Sequence, residues 1–134
     1  MSREQIHTYR QSFQARLERQ RDAQEARRQR ALESVRKETP AILSRWPCVH
    51  RAYLFGSVLC PGAFHRGSDV DVAVEGVTAE EYFVIWRALE RACPDWAIDL
   101  RDITAASPFA DLVRRTGVVI YAREDTSAAS GDSG

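Results

Sequence analysis

One stretch in the middle of the chain, Tyr53–Glu75, constrains the fold more than any other. It opens with an apolar run that stops at Gly56, passes through a segment rich in glycine and proline, and closes with DVDVAV over Asp69–Val74. Strict alternation of polar and apolar residues is typical of a β-strand with one buried face, and the glycines indicate turns. The stretch therefore predicts a strand, a tight turn, a short helix, a loop and a second strand.

The second predicted strand carries two carboxylates on one face. Side chains at positions i and i+2 of a strand project from the same side, so Asp69 and Asp71 point together and Val70 and Val72 point the other way. Two neighbouring carboxylates repel unless a cation lies between them, and oxygen-only ligands suit Mg²⁺ or Mn²⁺. The alternative is an edge strand with solvated acids, which is the commoner meaning of an isolated DxD pattern.

The residues upstream favour the metal interpretation. Gly56 allows the backbone to turn sharply and to approach a ligand closely. A helix that begins at Ser57 would direct free N–H groups, its dipole and a hydroxyl at a phosphate. A phosphate-binding turn followed by a carboxylate pair is the combination that a Mg-nucleotide enzyme needs.

A third carboxylate is expected on the next strand, which the sequence predicts over Asp95–Asp102. Trp96, Ile98 and Leu100 would form its apolar face, with Asp99 on the other face. A carboxylate inside an otherwise apolar strand is costly to bury unless it is paired or metal-bound. From the pattern alone, a local hydrogen bond or an arginine partner would satisfy Asp99 equally well.

The motif Gly56–Ser57, eleven further residues, then Asp69–Asp71 resembles the signature of the DNA polymerase beta-like nucleotidyltransferase superfamily. It looks most like the small minimal nucleotidyltransferase (MNT) antitoxins, and the resemblance covers about residues 49–122. The loop between Ser57 and Asp69 is one residue longer than is usual there. The resemblance implies an α/β fold with a small mixed sheet and helices packed mainly on one face.

The resemblance also implies a reaction and a site. AMP would pass from ATP to a hydroxyl, that of a tyrosine, on a HEPN-type toxin protein. Two Mg²⁺ ions, with Mn²⁺ as the alternative, would be held by the catalytic residues Asp69, Asp71 and Asp99. The nucleotide-binding residues that match the motif are Gly56, Ser57 and Ser68. His65 and Arg66, in the loop near the acids, are weaker candidates for nucleotide contact.

The N-terminal third differs in composition from the rest. Ser2–Glu38 contains no glycine or proline and predicts one long helix with an apolar stripe formed by Ile6, Tyr9, Phe13 and Leu17. Thr39 and Pro40 predict a fresh start, with a short helix over 41–46. The predicted organisation is a helical arm over 1–38, a nucleotidyltransferase domain over 39–122 and a disordered tail over 123–134.

Later elements have clear boundaries. Thr78 is the predicted N-cap of a helix that ends at Cys93–Pro94, and Ser107–Pro108 opens the last helix. A short final strand is predicted over 118–121.

Charge and cysteine usage limit the class of protein. Residues 1–45 carry 11 Lys and Arg against 6 Asp and Glu, and the rest carries 8 against 13. This basic arm suits an acidic partner or a homo- or hetero-oligomer through the helix, and a solvated helix with i,i+4 ion pairs is the alternative. Nucleic acid is a weaker expectation, because aromatic residues are not regularly interleaved with the charges. Three scattered cysteines, and no apolar run long enough to span a bilayer, predict a cytoplasmic protein without a membrane partner.

The sequence is compatible with two functions of different class. One is an enzyme that modifies a partner protein. The other is a non-catalytic binding module that neutralises a partner by contact. The three acids Asp69, Asp71 and Asp99 favour the enzyme.

Overall fold

The computed structural model describes residues 1–123, which form a four-stranded sheet, three α-helices and one short 3₁₀ helix. In chain order the elements are α1 (Arg3–Leu43), β1 (Arg51–Phe55), the 3₁₀ helix (Gly56–Leu59), β2 (Val70–Glu75), α2 (Ala79–Ala92), β3 (Ile98–Asp102), α3 (Pro108–Thr116) and β4 (Val118–Ala122).

The sheet is mixed, with the strand order β3-β2-β1-β4. β1 lies antiparallel to both β2 and β4, whereas β2 and β3 are parallel. A parallel pair needs a crossover connection, and α2 provides it. The predicted fold class, a small mixed sheet with a long N-terminal helix, is confirmed.

The two faces of the sheet are covered unequally. The larger core lies between the sheet and the helices α1 and α2; its fully buried members include Val35, Leu43, Leu54, Val72, Ile85, Leu89 and Leu100. A smaller cluster packs α3 against the other face; its members are Tyr53, Ala73, Ile103, Ala110 and Val113. Most helical packing is therefore on one face, as predicted, and the second face is left open beyond α3 at the end of β2.

A buried ionic network fastens α3 to its face of the sheet. Glu75 is only 8% exposed and accepts hydrogen bonds from the Tyr53 hydroxyl at 3.1 Å and from Arg114 Nε at 2.8 Å. His50 Nε2 lies 3.2 Å from the second carboxylate oxygen. Burial favours the neutral acid, but the hydrogen bonds from Arg114 and Tyr53 outweigh it and hold the pKa of Glu75 below its usual value.

The first helix does not stop where the sequence predicts. The expected restart at Thr39–Pro40 is wrong, because α1 continues through both residues to Leu43. Pro40 lacks the N–H that would bond back along the helix. However, Thr39, Ile42 and Leu43 are buried, so the packing of the last turn offsets the missing bond.

α1 consists of two physically different parts. At 1.5 Å per residue its 41 residues span about 60 Å. Every residue from Met1 to Gln14 is exposed, including Tyr9 and Phe13 at 67% and 56%. From Arg28 onwards, by contrast, the helix contributes buried residues to the main core. The division into an arm and a domain at residue 38 remains a prediction.

Other boundaries differ by a few residues. β3 begins at Ile98, three residues later than predicted, while α2 and α3 begin directly after the predicted N-caps. No helix within residues 1–123 combines the length and the apolar character needed to cross a membrane. The predicted tail lies, apart from Arg123, outside the described residues.

Candidate active site

Two of the three predicted acids face each other across neighbouring strands. The parallel register of β2 and β3 pairs Asp71 with Asp99, and both side chains are partly buried. Burial raises the pKa of Asp71 to about 6, and the negative charges of Asp99 and Asp69 add to the rise, while Arg101 opposes it. The sheet topology thus brings carboxylates together at the start of β2, with Arg101 as a partial counter-charge.

Asp69 lies immediately before β2 rather than within it. β2 begins at Val70, whose N–H donates to the Ala97 carbonyl at 2.8 Å, and Asp69 itself is exposed. Its effect on the pKa of Asp71 shows that it lies close enough to interact electrostatically. The three predicted residues therefore form one charged group, with Asp71 at its centre.

These acids suit a divalent cation in their chemistry, although they are not arranged as a finished ligand set. Within residues 1–123 no three His, Cys, Asp or Glu side chains converge as metal ligands. Asp99 instead accepts from Arg101 at 3.3 Å. Burial and the charges of Asp99 and Asp69 raise the pKa of Asp71, and a cation bound between the carboxylates would oppose that rise. Because all the donors are carboxylate oxygens, Mg²⁺ and Mn²⁺ are the ions that fit.

Gly56 brings the backbone directly against this group. Its φ is +77°, a conformation that side chains disfavour, and a Cβ built at this position would overlap Asp71 Oδ2. The preceding residue, Phe55, pairs with Asp71 in the β1–β2 register. The turn and the carboxylate are thus neighbours, as the motif requires.

A comparison with known families identifies the fold that carries this motif. The family model described as Polymerase beta, Nucleotidyltransferase matches residues 37–126. The chain belongs to the polymerase beta nucleotidyltransferase family. Most of α1 lies outside the matched region, which begins near the last two turns of that helix.

Solved structures show the same fold. A chain of a toxin–antitoxin crystal structure with AMP-PNP is 25% identical, with a TM-score of 0.55 over 70% of this chain and 78% of that chain. A chain of the toxin–antitoxin MntA-HepT is 22% identical, with a TM-score of 0.50 over 66% of this chain and 70% of that chain. No curated protein matches the sequence well enough to count as a relative.

The helix that follows Gly56 is shorter than the sequence suggests. The helix expected at Ser57 is a four-residue 3₁₀ helix, in which the Ser57 carbonyl accepts from the Cys60 N–H at 3.0 Å. One 3₁₀ turn lacks the aligned peptide dipoles of an α-helix. The helix dipole expected there is therefore small, and any phosphate contact would depend on individual N–H groups and on the Ser57 hydroxyl.

The loop before Asp69 is ordered by its own polar side chains. Ser68 Oγ accepts from the His65 N–H at 3.0 Å, and the Ser68 N–H donates to the His65 carbonyl at 2.9 Å. The Gly67 N–H donates to His65 Nδ1 at 3.2 Å. These bonds make Ser68 and His65 partners within the loop, and a nucleotide contact by Ser68 remains a prediction.

His65 and Arg66 also face α1 rather than the acids. They line a cleft of about 480 Å³ whose other polar lining residues, Gln20, Gln24, Arg27 and Arg30, all come from α1. Neither Asp69 nor Asp71 lines this cleft. The expected nucleotide contact by these two loop residues therefore has no support from their position.

Two arginines near the site were not singled out from the sequence. Arg101 pairs with Asp99, and the i, i+2 spacing of these residues on one strand face was the available signal. Arg28 reaches the turn from α1, 30 positions away in the sequence, and no local pattern indicates that contact.

Proposed function

We propose that this chain is a metal-dependent nucleotidyltransferase that moves AMP from ATP to a tyrosine hydroxyl of a HEPN-type partner. It would act in the cytoplasm as the antitoxin of that pair. The observation that carries the proposal is Asp71, which faces Asp99 across the sheet and lies against Gly56, in a chain of the nucleotidyltransferase family. The similarity to a toxin–antitoxin chain solved with AMP-PNP supports the choice of ATP and of a toxin as partner.

Each site residue has a defined role in this proposal. Asp69, Asp71 and Asp99 would hold two Mg²⁺ ions, with Mn²⁺ as the alternative. Bound ions of this kind stabilise both the attacking and the leaving oxygens of an in-line displacement. Gly56 would keep the backbone close to the phosphates, and the Ser57 hydroxyl would donate to one of their oxygens. The tyrosine hydroxyl would lose its proton with the help of Asp99, its oxygen would gain a bond to the α-phosphorus, and pyrophosphate would leave.

The exposed part of α1 provides a surface for the partner. Ile6, Tyr9 and Phe13 lie at spacings of three and four residues and are 38%, 67% and 56% exposed. Such a contiguous exposed apolar stripe usually marks an interface. The stripe would recruit the acceptor protein to the site on the body.

The direct test uses the protein together with a purified HEPN-type toxin. We expect ATP and Mg²⁺ to add one or more AMP units to the toxin, measured by intact-protein mass spectrometry. Asp71→Asn should abolish the gain, while Asp95→Asn, a matched change at an exposed acid outside the site, should leave it intact.

A second measurement separates the enzyme from a binding module. If wild-type protein suppresses toxin activity without any mass gain, and Asp71→Asn suppresses it equally well, the chain acts by contact and the transferase proposal is wrong. ATP titration with and without Mg²⁺ provides an independent check, because the proposal requires binding that depends on the metal.

A further inference from the structure

Arg28 is the most deeply buried cation of the described chain, at 8% exposure. Burial of a guanidinium is costly unless its donors have partners, and here all three nitrogens have one. Nε and Nη2 donate to the two carboxylate oxygens of Glu25 at 2.9 and 2.6 Å, and Nη1 donates to the Val58 carbonyl at 3.0 Å. The carboxylate of Glu25 neutralises the charge of the guanidinium, and Nη1 contacts Val58 alone.

The contact with Val58 connects α1 to the candidate active site. Val58 is fully buried and lies two residues after Gly56, inside the same 3₁₀ helix. A hydrogen bond that fixes the Val58 carbonyl therefore restrains the turn that brings Gly56 against Asp71. Val58 is also the first residue of the loop that is one residue longer than usual, and a longer loop has more conformational freedom to lose on ordering.

We propose that Arg28 is a positioning residue. Its buried guanidinium, paired with Glu25, holds the Val58 carbonyl and thereby fixes the Gly56–Ser57 turn in the geometry that binds the phosphates of the nucleotide. This inference rests on the proposed function. Because the family match begins at residue 37, the role belongs to the N-terminal helix of this chain and lies outside the matched domain.

Steady-state kinetics of AMP transfer separate positioning from simple packing. Arg28→Met keeps the length and apolar stem of the side chain but removes the donors. If the turn loses its restraint, the KM for ATP should rise roughly tenfold, as expected for one lost charge-assisted hydrogen bond, with little change in the KM for the partner. If Arg28 only stabilises the packing of the helix, the substitution unfolds a fraction of the molecules. The apparent kcat then falls, and the KM for ATP does not change.

Matched variants complete the test. Gln24→Ala removes a longer, exposed bond of 3.3 Å to the Gly62 carbonyl, one helical turn away on the same side of α1, and should leave both parameters unchanged. Arg28→Lys keeps the charge but loses the fork of donors that contacts Glu25 and Val58 together, so its KM for ATP should lie between those of wild type and Arg28→Met. If Arg28→Met does not fold, a KM for ATP of Arg28→Lys above that of wild type supports the positioning role, and an unchanged KM overturns it.

The outcomes distinguish this inference from the function on which it rests. Transfer by the wild type, with an unchanged KM for ATP in a folded Arg28→Met, overturns the positioning role alone. Absence of ATP binding and of transfer in the wild type overturns both. A selective rise in the KM for ATP that Arg28→Lys partly reverses supports both.

Discussion

Alanine at Gly56 and at Gly62 gives a controlled test of why the turn needs a glycine. Both glycines have positive φ, +77° and +85°. An L-residue in this region costs about 1–2 kcal/mol, so each variant should lose a similar amount of stability and several degrees of Tm. They differ in surroundings, since a Cβ at Gly62 meets nothing within 4 Å while one at Gly56 overlaps Asp71 Oδ2.

Gly56→Ala and Gly62→Ala should therefore differ in transfer activity although they are similar in stability. Restoring normal contact in Gly56→Ala displaces the Asp71 carboxylate by roughly 1 Å, and a misplacement of that size costs about 10²-fold in rate. Gly62→Ala should keep most of its activity. Thermal unfolding by circular dichroism and AMP transfer at 25 °C, on the same samples, give both quantities. Equal activity losses in the two variants would refute the argument, because the collision with Asp71 would then have no consequence of its own.

Three further predictions follow from the acids, the buried network and the arm. Asp69→Asn, Asp71→Asn and the double variant should lose similar amounts of transfer activity, because the acids act as a unit; losses that multiply would contradict this. Glu75→Gln should cost about 2 kcal/mol at neutral pH, because it removes the charge from the hydrogen bond to Arg114, whose side chain is 35% exposed. Since the folded pKa of Glu75 is lowered, its contribution is present above pH 4.5 and lost below it, so the Tm difference from wild type should shrink in acid. Deleting residues 2–20 should weaken the toxin complex, measured by calorimetry, and spare ATP binding, whereas deleting 2–30 should impair both.

The sequence predicts most of the fold because its signals are local. Alternation in DVDVAV, the N-caps Thr78 and Ser107, and the break at Cys93–Pro94 each depend on a few neighbouring residues, and the structure confirms them. The error at Thr39–Pro40 has a tertiary cause. Proline disfavours a helix interior locally, but the burial of the following turn in the core outweighs that preference.

The site was predictable to the same extent. The same-face placement of acids follows from strand periodicity, and the structure adds what periodicity cannot supply. Register, set by the β2–β3 pairing, decides that Asp71 rather than Asp69 faces Asp99. The close approach of Gly56 to Asp71 depends on the β1–β2 pairing, which joins residues 16 positions apart.

The N-terminal helix shows most clearly why a boundary read from composition differs from a physical one. Apart from the apolar stripe near its start, the helix is polar to residue 30, so composition assigns this segment to the arm predicted over 1–38. Yet Arg28 is polar and buried, and polarity fails as a guide to burial wherever charged partners are available within the fold. In this chain, hydrogen bonds to Glu25, one turn earlier, and to the Val58 carbonyl compensate for the burial of Arg28. α1 already contacts the body at Gln24, whose side chain donates to the Gly62 carbonyl, so these contacts begin well before the predicted division at residue 38. That placement explains why the two deletions should differ, since only the longer one removes a side chain that contacts the turn beside Asp71.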